Sequence, residues 1–339
     1  MPQNRHQTDI AVIGAGPVGL FAVFECGMLG LDCHVIDTLD AVGGQCTALY
    51  PEKPIYDIPG YPVIEASGLI DRLSEQAAPF NPTYHLGETV TGLVRTDDER
   101  WRLTTSKGNE IEAAAVMIAA GTGAFGFNRP PLDGIESYEG TSVFYLVARR
   151  EDFRDKRLVI AGGGDSAIDW AVALADIAAH VTVVHRRAKF RAAPESVARL
   201  TALVEQGTVE LAVPYQLAGL EGDGKQLSAV HLSSLDGEER RVEADALLPF
   251  YGLAATLGPI AEWGLALDRN VIPVDPATCE TNLPSIHAIG DMADYPGKLK
   301  LILTGFAEAA AAAHAAFARA RPDQALHFEY STTKGLPGA

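Results

Sequence analysis

The chain has 339 residues, room for two domains of ordinary size, and its 47% hydrophobic and 21% charged residues describe a soluble globular protein. A formal net charge of −17 argues against nucleic acid as a partner, and no uninterrupted apolar run is long enough to cross a bilayer. Cys26, Cys33, Cys46 and Cys279 lack metal-ligand spacing and no two are close enough in sequence to read as a redox disulfide; with a polar N-terminus, this leads us to expect a reducing cytoplasm and no metal.

In chain order, a predicted strand over 9–13 runs into Gly14-Ala15-Gly16-Pro17-Val18-Gly19, and an apolar-faced helix over 18–29 follows. Gly-x-Gly-x-x-Gly alone is a weak signal. Between a buried strand and a helix it predicts a dinucleotide loop, in which Gly14, Gly16, Pro17 and Gly19 bring a pyrophosphate to the helix N-terminus. A second strand over 33–36 ends at Asp37, where an acidic side chain accepts hydrogen bonds from an adenosine ribose. A Gly- and Pro-rich stretch and a short helix come next. The segments 101–105 and 110–114 then flank Lys107-Gly108-Asn109 and read as an antiparallel meander inserted in the first domain. A strand over 116–120 leads to Gly121-Thr122-Gly123 and Pro130-Pro131, the expected crossing into a second domain.

There the pattern repeats as a strand over 157–161, the loop Gly162-Gly163-Gly164-Asp165-Ser166-Ala167, a helix from Ser166 to about Ala179 and a strand over 181–184. This strand ends in His185-Arg186-Arg187, with Lys189 and Arg191 following, where the first unit has a carboxylate. Guanidinium groups bind a 2′-phosphate through paired charge-assisted hydrogen bonds, whereas a carboxylate would repel it. The loop is therefore expected to prefer NADPH to NADH, through Gly162, Gly164, Asp165, Ser166, Ala167, His185, Arg186, Arg187 and Arg191. Just ahead of it, Arg149, Arg150, Arg154, Lys156 and Arg157 form a dense basic run. If they share a face, an acidic protein has a place to dock; a solubilising loop is the alternative.

A second hairpin joins 230–234 to 240–243 around Asp236-Gly237, and the return to the first domain is expected at a strand over 286–291 ending in Gly290-Asp291. That aspartate suits flavin ribityl or pyrophosphate groups, and Thr304-Gly305-Phe306 should open an alanine-rich helix over 307–320. The fold class expected is α/β, with two nested Rossmann-like dinucleotide-binding domains of three-layer ββα architecture. The FAD-binding domain is placed at 1–120 plus 286–339 and the NADPH-binding domain at 121–285.

Gly43-Gly44-Gln45-Cys46, Tyr50-Pro51-Glu52-Lys53, Tyr56-Asp57-Ile58-Pro59-Gly60, Gly290-Asp291 and the run from Pro296 to Ile302 resemble the thioredoxin-reductase-like ferredoxin–NADP reductases over essentially the whole chain. The resemblance implies bound FAD, NADPH as donor or NADP as acceptor, ferredoxin or flavodoxin as the single-electron partner, and a homodimer with two domains per subunit joined by a two-stranded hinge. It places Tyr50 on one isoalloxazine face. Tyr330, with Ser331 beside it, covers the other, and His327 and Phe328 are the alternatives in that tail. A ring there occupies the place of the nicotinamide, so Tyr330 must move aside or the NADPH domain must rotate. Gly44, Gln45, Val90, Gly121, Phe125, Asp291 and Thr304 complete the FAD set.

Thioredoxin reductases proper carry a Cys-x-x-Cys pair where this chain has Tyr145-Leu146-Val147-Ala148. The glutathione-reductase branch has Cys-x4-Cys, and here the second position is Pro51. Cys46 is thus expected to be a packing residue, with electrons leaving the flavin directly and no residue acting as acid or base. Two other readings share the nucleotide motifs: an NADPH-dependent flavin oxidoreductase acting on a quinone or other small acceptor, and a nucleotide-binding sensor or scaffold. A flavin monooxygenase is disfavoured, because no Phe-x-Gly-x3-His-x3-Trp stretch lies between the loops.

Overall fold

A computed structural model describes residues 4–326 and Gly335. The chain divides into two compact units, Met1–Phe125 with Ala255–Ala339, and Gly126–Ala254.

In the first unit the strand Arg5–Ile13, apolar and buried from Ile10 onward, pairs in parallel with Cys33–Asp37 on one side and with Glu110–Ile118 on the other. Thr83–Leu86 extends the parallel sheet beyond Cys33–Asp37. The far edge of Glu110–Ile118 is shared. Its first half pairs antiparallel with Trp101–Thr105, which pairs in turn with Val90–Arg95, and its second half pairs in parallel with Ile286–Ala288. Ile111, Ala113, Val116 and Ile118 all reach the same core, while the register with Arg5–Ile13 runs unbroken from Glu110 to Ile118. This strand makes the meander and the sheet one continuous element, where the sequence suggested a hairpin strand over 110–114 and a separate strand over 116–120.

The helix Pro17–Met28 covers the other face, with Ala22, Val23 and Cys26 buried against Ile10, Val12, Val35 and Met117. Beside it runs Ile302–Ala320, whose Ala309, Ala312, Ala313 and Ala316 are fully buried. These fall at i, i+3, i+4 and i+7, so a stripe of methyl groups faces the neighbouring helix and permits close approach. The helix begins at Ile302, ahead of the expected 307, because Leu301 already accepts the backbone N–H of Gly305 and Thr304-Gly305-Phe306 lie inside the first turns. The strand expected over 286–291 ends at Ala288 and gives way to a short 3₁₀ turn over Gly290–Met292, since Gly290 adopts a left-handed φ of +73°.

The second unit holds a four-stranded parallel sheet in the order Val209–Ala212, His180–Val184, Arg157–Ala161, Ala246–Pro249, with a separate antiparallel meander of Gln216–Gly222, Leu227–Ser233 and Glu239–Glu243. The helix after its glycine loop spans Asp165–Leu174, shorter than the expected 166–179. Leu174 accepts the N–H groups of both Ile177 and Ala178, which tightens the chain into a turn and returns it to the sheet.

The chain crosses between units at 125/126 and 254/255, through the paired short strands Ala124–Phe127 and Leu253–Thr256. The first crossing lies near the expected 120/121. The second lies well before the expected 285/286, because Leu257, Ile260, Leu265 and Ile272 are buried in the core of the first unit with Ile36, Val90 and Trp101. The intervening segment holds a 3₁₀ turn over Gly258–Glu262 and a two-residue strand, Ile272–Pro273, that pairs in parallel with Ala293–Asp294 of the first unit, so burial and this pairing together decide its membership.

Candidate functional site

In the first unit a cavity of 440 Å³ opens where the ends of Arg5–Ile13, Cys33–Asp37 and Glu110–Ile118 meet. Its floor is glycine. Gly14, at φ +109°, sits where an added Cβ would lie 2.4 Å from the Ala119 carbonyl oxygen, and a Cβ on Gly19 would lie 1.9 Å from the Gly14 carbonyl oxygen. Neither position accepts a side chain. Gly16 differs: nothing stands within 4 Å of its Cβ direction, and it lines the cavity opposite Gly44. An anion can therefore approach that backbone, at the N-terminus of a helix whose first residue, Pro17, has no N–H to leave unpaired.

Asp37 bridges the loop and the second strand. Its Oδ2 accepts the Ala15 N–H at 2.6 Å and its Oδ1 accepts the Leu39 N–H at 2.8 Å. Burial raises its carboxyl above the usual value, against the opposing pull of these N–H groups. Each oxygen keeps a lone pair for a ribose hydroxyl.

Gln45 lines the cavity and donates from Nε2 to Thr122 Oγ1 at 3.1 Å. Tyr50, Val90, Gly121 and Asp291 line it too. Tyr50 is packed against Cys46, and its hydroxyl is pushed up by burial, then by the neighbouring Cys46 and Asp291. Cys46 is 2% exposed, and burial pushes its thiol up to about 11. A thiol so far from ionised is no nucleophile, consistent with a packing role. Thr304 stands apart from the cavity wall, which uses Lys300, Leu301 and Ile302 instead. The Phe125 side chain and both Tyr330 and Ser331 lie outside the described residues.

Sequence reasoning missed two parts of this site. Leu257, Pro259, Ile260 and Trp263 wall the cavity from a segment assigned to the other domain. Behind Gly290, the carboxylate of Glu308 and the ammonium of Lys298 form an ion pair with side chains 4% and 2% exposed. The carboxylate in an otherwise alanine-rich helix was the only sequence signal.

The second unit carries the other loop. Gly164 is open on its Cβ side, while the ring of His185 fills the space beside Gly163, 2.2 Å from a would-be Cβ. His185 is 9% exposed and stacks on Phe190 with ring centroids 5.3 Å apart. Burial, then Arg191, Arg187 and Arg186, lower its pKa, partly offset by a backbone hydrogen bond at Lys189. The structure thus puts His185 beneath the loop as a neutral packing group, apart from the cations it was expected to join. The loop is laced in place: Gly163 accepts the Arg191 N–H at 2.7 Å and Asp165 Oδ1 accepts the Ala193 N–H at 2.8 Å. Asp165 is therefore a strut for the following segment. Arg186, Arg187 and Arg191 are exposed and, among the described residues, have no carboxylate partner.

The basic run ahead of this loop behaves otherwise. Arg150 pairs with Asp176 at 2.8 Å, Arg154 with Glu151, Arg157 with Asp245 at 2.6 Å, and Arg149 with Asp152 at 4.0 Å. Four of its five cations face carboxylates, which removes the basis for a cationic docking face and favours the solubilising-loop alternative. A second correction concerns the thiols. All four are free and buried, yet Cys26 and Cys33 meet side chain to side chain, because the end of the first helix folds back on the start of the second strand. Among the described residues no group of three or more His, Cys, Asp or Glu side chains is placed to hold a metal ion, and no helix is long and apolar enough to cross a membrane.

The open glycine floor, the ribose-facing carboxylate and the aromatic wall fit an FAD molecule. Residues 8–318 match the pyridine nucleotide-disulphide oxidoreductase family. The chain is 64% identical to the ferredoxin–NADP reductase of Paramagnetospirillum magneticum over 98% of its own length and 99% of that protein's, and 63% identical to that of Rhodospirillum rubrum over 98% and 97%. In fold it is similar to the thioredoxin reductase of Lactococcus lactis, with a TM-score of 0.79 at 24% identity over 93% of this chain and 99% of that one. With its two dinucleotide loops, its lack of a disulfide at either redox position and this full-length likeness, the chain belongs to the pyridine nucleotide-disulphide oxidoreductase family, among its ferredoxin–NADP reductases.

Proposed function

We infer that the protein is an FAD-dependent ferredoxin–NADP reductase, exchanging a hydride between NADPH and FAD and single electrons between FAD and ferredoxin or flavodoxin. The observation that carries this reading is the cavity lined by Gly14, Gly16, Asp37, Gln45, Tyr50 and Asp291, where the one lining thiol is Cys46 and the buried Cys26 and Cys33 are not part of the wall. Bound FAD supplies the redox chemistry, a hydride on one side and single electrons on the other.

The chain's own part is binding, orientation and exclusion of water. Gly16 and the helix Pro17–Met28 hold the pyrophosphate, and Asp37 holds the adenosine ribose. Tyr50 covers one flavin face, and Tyr330 with Ser331 covers the other. Gly162, Gly164, Ser166 and Ala167 take the NADPH pyrophosphate, while Arg186, Arg187 and Arg191 take its 2′-phosphate. The partner is ferredoxin or flavodoxin, the assembly a homodimer and the compartment the cytoplasm; four free, buried cysteines support a reducing compartment.

The test is anaerobic mixing of the purified protein with NADPH, followed by cytochrome c reduction with and without ferredoxin. Flavin bleaching with strong ferredoxin dependence is expected. Bleaching without that dependence would transfer the assignment to an oxidoreductase of small acceptors, and a protein without flavin would leave only the sensor reading.

A further inference from the structure

We propose that Glu308, neutralised by Lys298, is a positioning residue for flavin binding: its carboxylate holds the Gly290-Asp291 turn and the 295–302 segment as one rigid wall of the cavity. The inference rests on the cofactor assignment above.

The Glu308 carboxylate reaches three places. Its Oε2 accepts the backbone N–H of Gly290 at 2.7 Å, and its Oε1 accepts the Tyr295 hydroxyl at 2.7 Å and is paired with the Lys298 ammonium. Lys298 also lies over the Tyr295 ring, 5.5 Å from its centroid. Both segments so tethered reach the cavity wall, Gly290 and Asp291 from one and Lys300, Leu301 and Ile302 from the other. The same helix supplies Gly305, where a Cβ would lie 2.4 Å from Val18 Cγ2 and 3.3 Å from Gly290 Cα. The helix thus meets the turn at its Gly290 backbone and the Val18 side chain beside the pyrophosphate loop, and the carboxylate one turn further on sets the direction in which the turn points.

A buried ion pair is a poor way to gain stability, because desolvating two charges consumes most of their attraction and an apolar pair packs as well or better. What an apolar pair lacks is an acceptor for Gly290. That residue is held at φ +73°, next to an aspartate with no protein hydrogen bond among the described residues and a cavity beside it. Fixing the N–H of Gly290 fixes where the Asp291 carboxylate begins. Glu308 therefore acts on the cofactor through Asp291 and touches it nowhere itself.

The test is a double-mutant cycle read as FAD release from the purified holoprotein, followed by the rise in flavin fluorescence on dilution, for wild type, Asp291→Ala, Glu308→Gln and the double variant. Glu308→Gln leaves the Lys298 charge uncompensated and the turn loosely held. It should raise the Kd for FAD about tenfold in the wild-type background and less than about twofold in the Asp291→Ala background. Equal losses in both backgrounds would overturn the proposal, since a purely structural carboxylate would weaken binding whether or not Asp291 is present. Wild-type FAD binding unaffected by Asp291→Ala would overturn it too, while leaving the cofactor assignment standing; a wild-type protein that carries no FAD would remove that assignment itself. If Glu308→Gln does not fold, Tyr295→Phe deletes a single hydrogen bond to the same carboxylate. A change of about threefold with the same background dependence is then expected, and an unchanged Kd would overturn the proposal.

Discussion

Arg186 and Arg187 differ from Arg149, Arg150, Arg154 and Arg157 in one respect that matters for chemistry: the earlier ones are already paired. An arginine engaged by a carboxylate has its fork occupied, whereas an exposed, unpaired fork beside a dinucleotide loop is available to a 2′-phosphate. Each such charge-assisted contact contributes about 1.5–3 kcal/mol. The variant Arg186→Ser/Arg187→Ser should therefore raise the KM for NADPH at least tenfold while changing that for NADH less than about twofold, in steady-state assays with both coenzymes. Equal losses for the two would place the basic residues away from the 2′-phosphate. A second residue-scale consequence comes from His34, whose Nδ1 lies 2.9 Å from His85 Nε2, with the His6 ring centroid 5.3 Å from its own. Burial first, then His85 and His6, hold its pKa down from 6.5 to about 4. His85 is lowered by burial and by His6, with Glu88 opposing. Between about 4 and 6.5 the unfolded chain holds more protons at His34 than the folded one, so stability is complete above that window and declines as pH falls through it. His34→Gln should flatten the acid limb of a Tm-against-pH curve; an unaltered limb would assign the acid sensitivity to other groups.

At the scale of elements, the alanine-rich helix Ile302–Ala320 shows how composition becomes geometry. Buried at Ala309, Ala312, Ala313 and Ala316, it lies close to the helix Pro17–Met28 and brings Gly305 onto Val18 at the cavity's edge. Larger side chains would hold the two helices apart and lift Gly305 from that contact. Ala313→Leu should cost about 1–3 kcal/mol through overpacking. Its Tm should fall by several degrees, and its FAD should dissociate faster because Glu308 moves with the helix. An unchanged Tm with unchanged FAD retention would mean that the helix can shift without disturbing the site. The strand Glu110–Ile118 has a comparable role: it pairs with Arg5–Ile13 along its whole length on one edge and with the meander and Ile286–Ala288 on the other, which ties Val90 and the parallel sheet to one element.

At the scale of the whole molecule, each unit contains a parallel sheet, an antiparallel meander and a glycine loop between its leading strand and the helix that follows. The repetition has been worked differently in the two. In the first unit the meander is continuous with the sheet; in the second it is a separate three-stranded sheet. The first unit ends its second strand in Asp37 and the second is followed by a cluster of cations, so the same local design carries opposite charge at its two loops. With net charge −17 and four of the five cations from Arg149 to Arg157 facing carboxylates, that run offers an acidic partner little free positive charge.

The two loops, their flanking strands and helices, the contrast between Asp37 and Arg186-Arg187, and the absence of a second cysteine at either redox position were determined by sequence alone. Each is a matter of periodicity, turn chemistry or residue type within a few tens of positions. Tertiary structure decided the rest: that 255–285 belongs to the first unit, that Cys26 meets Cys33, that His185 lies beneath its loop, that Arg157 is spent on Asp245 eighty-eight residues away, and that Glu308 holds Gly290. These depend on which surfaces are buried together. Burial and charge pairing are set by neighbours in space, and no local pattern in the chain records who those neighbours are.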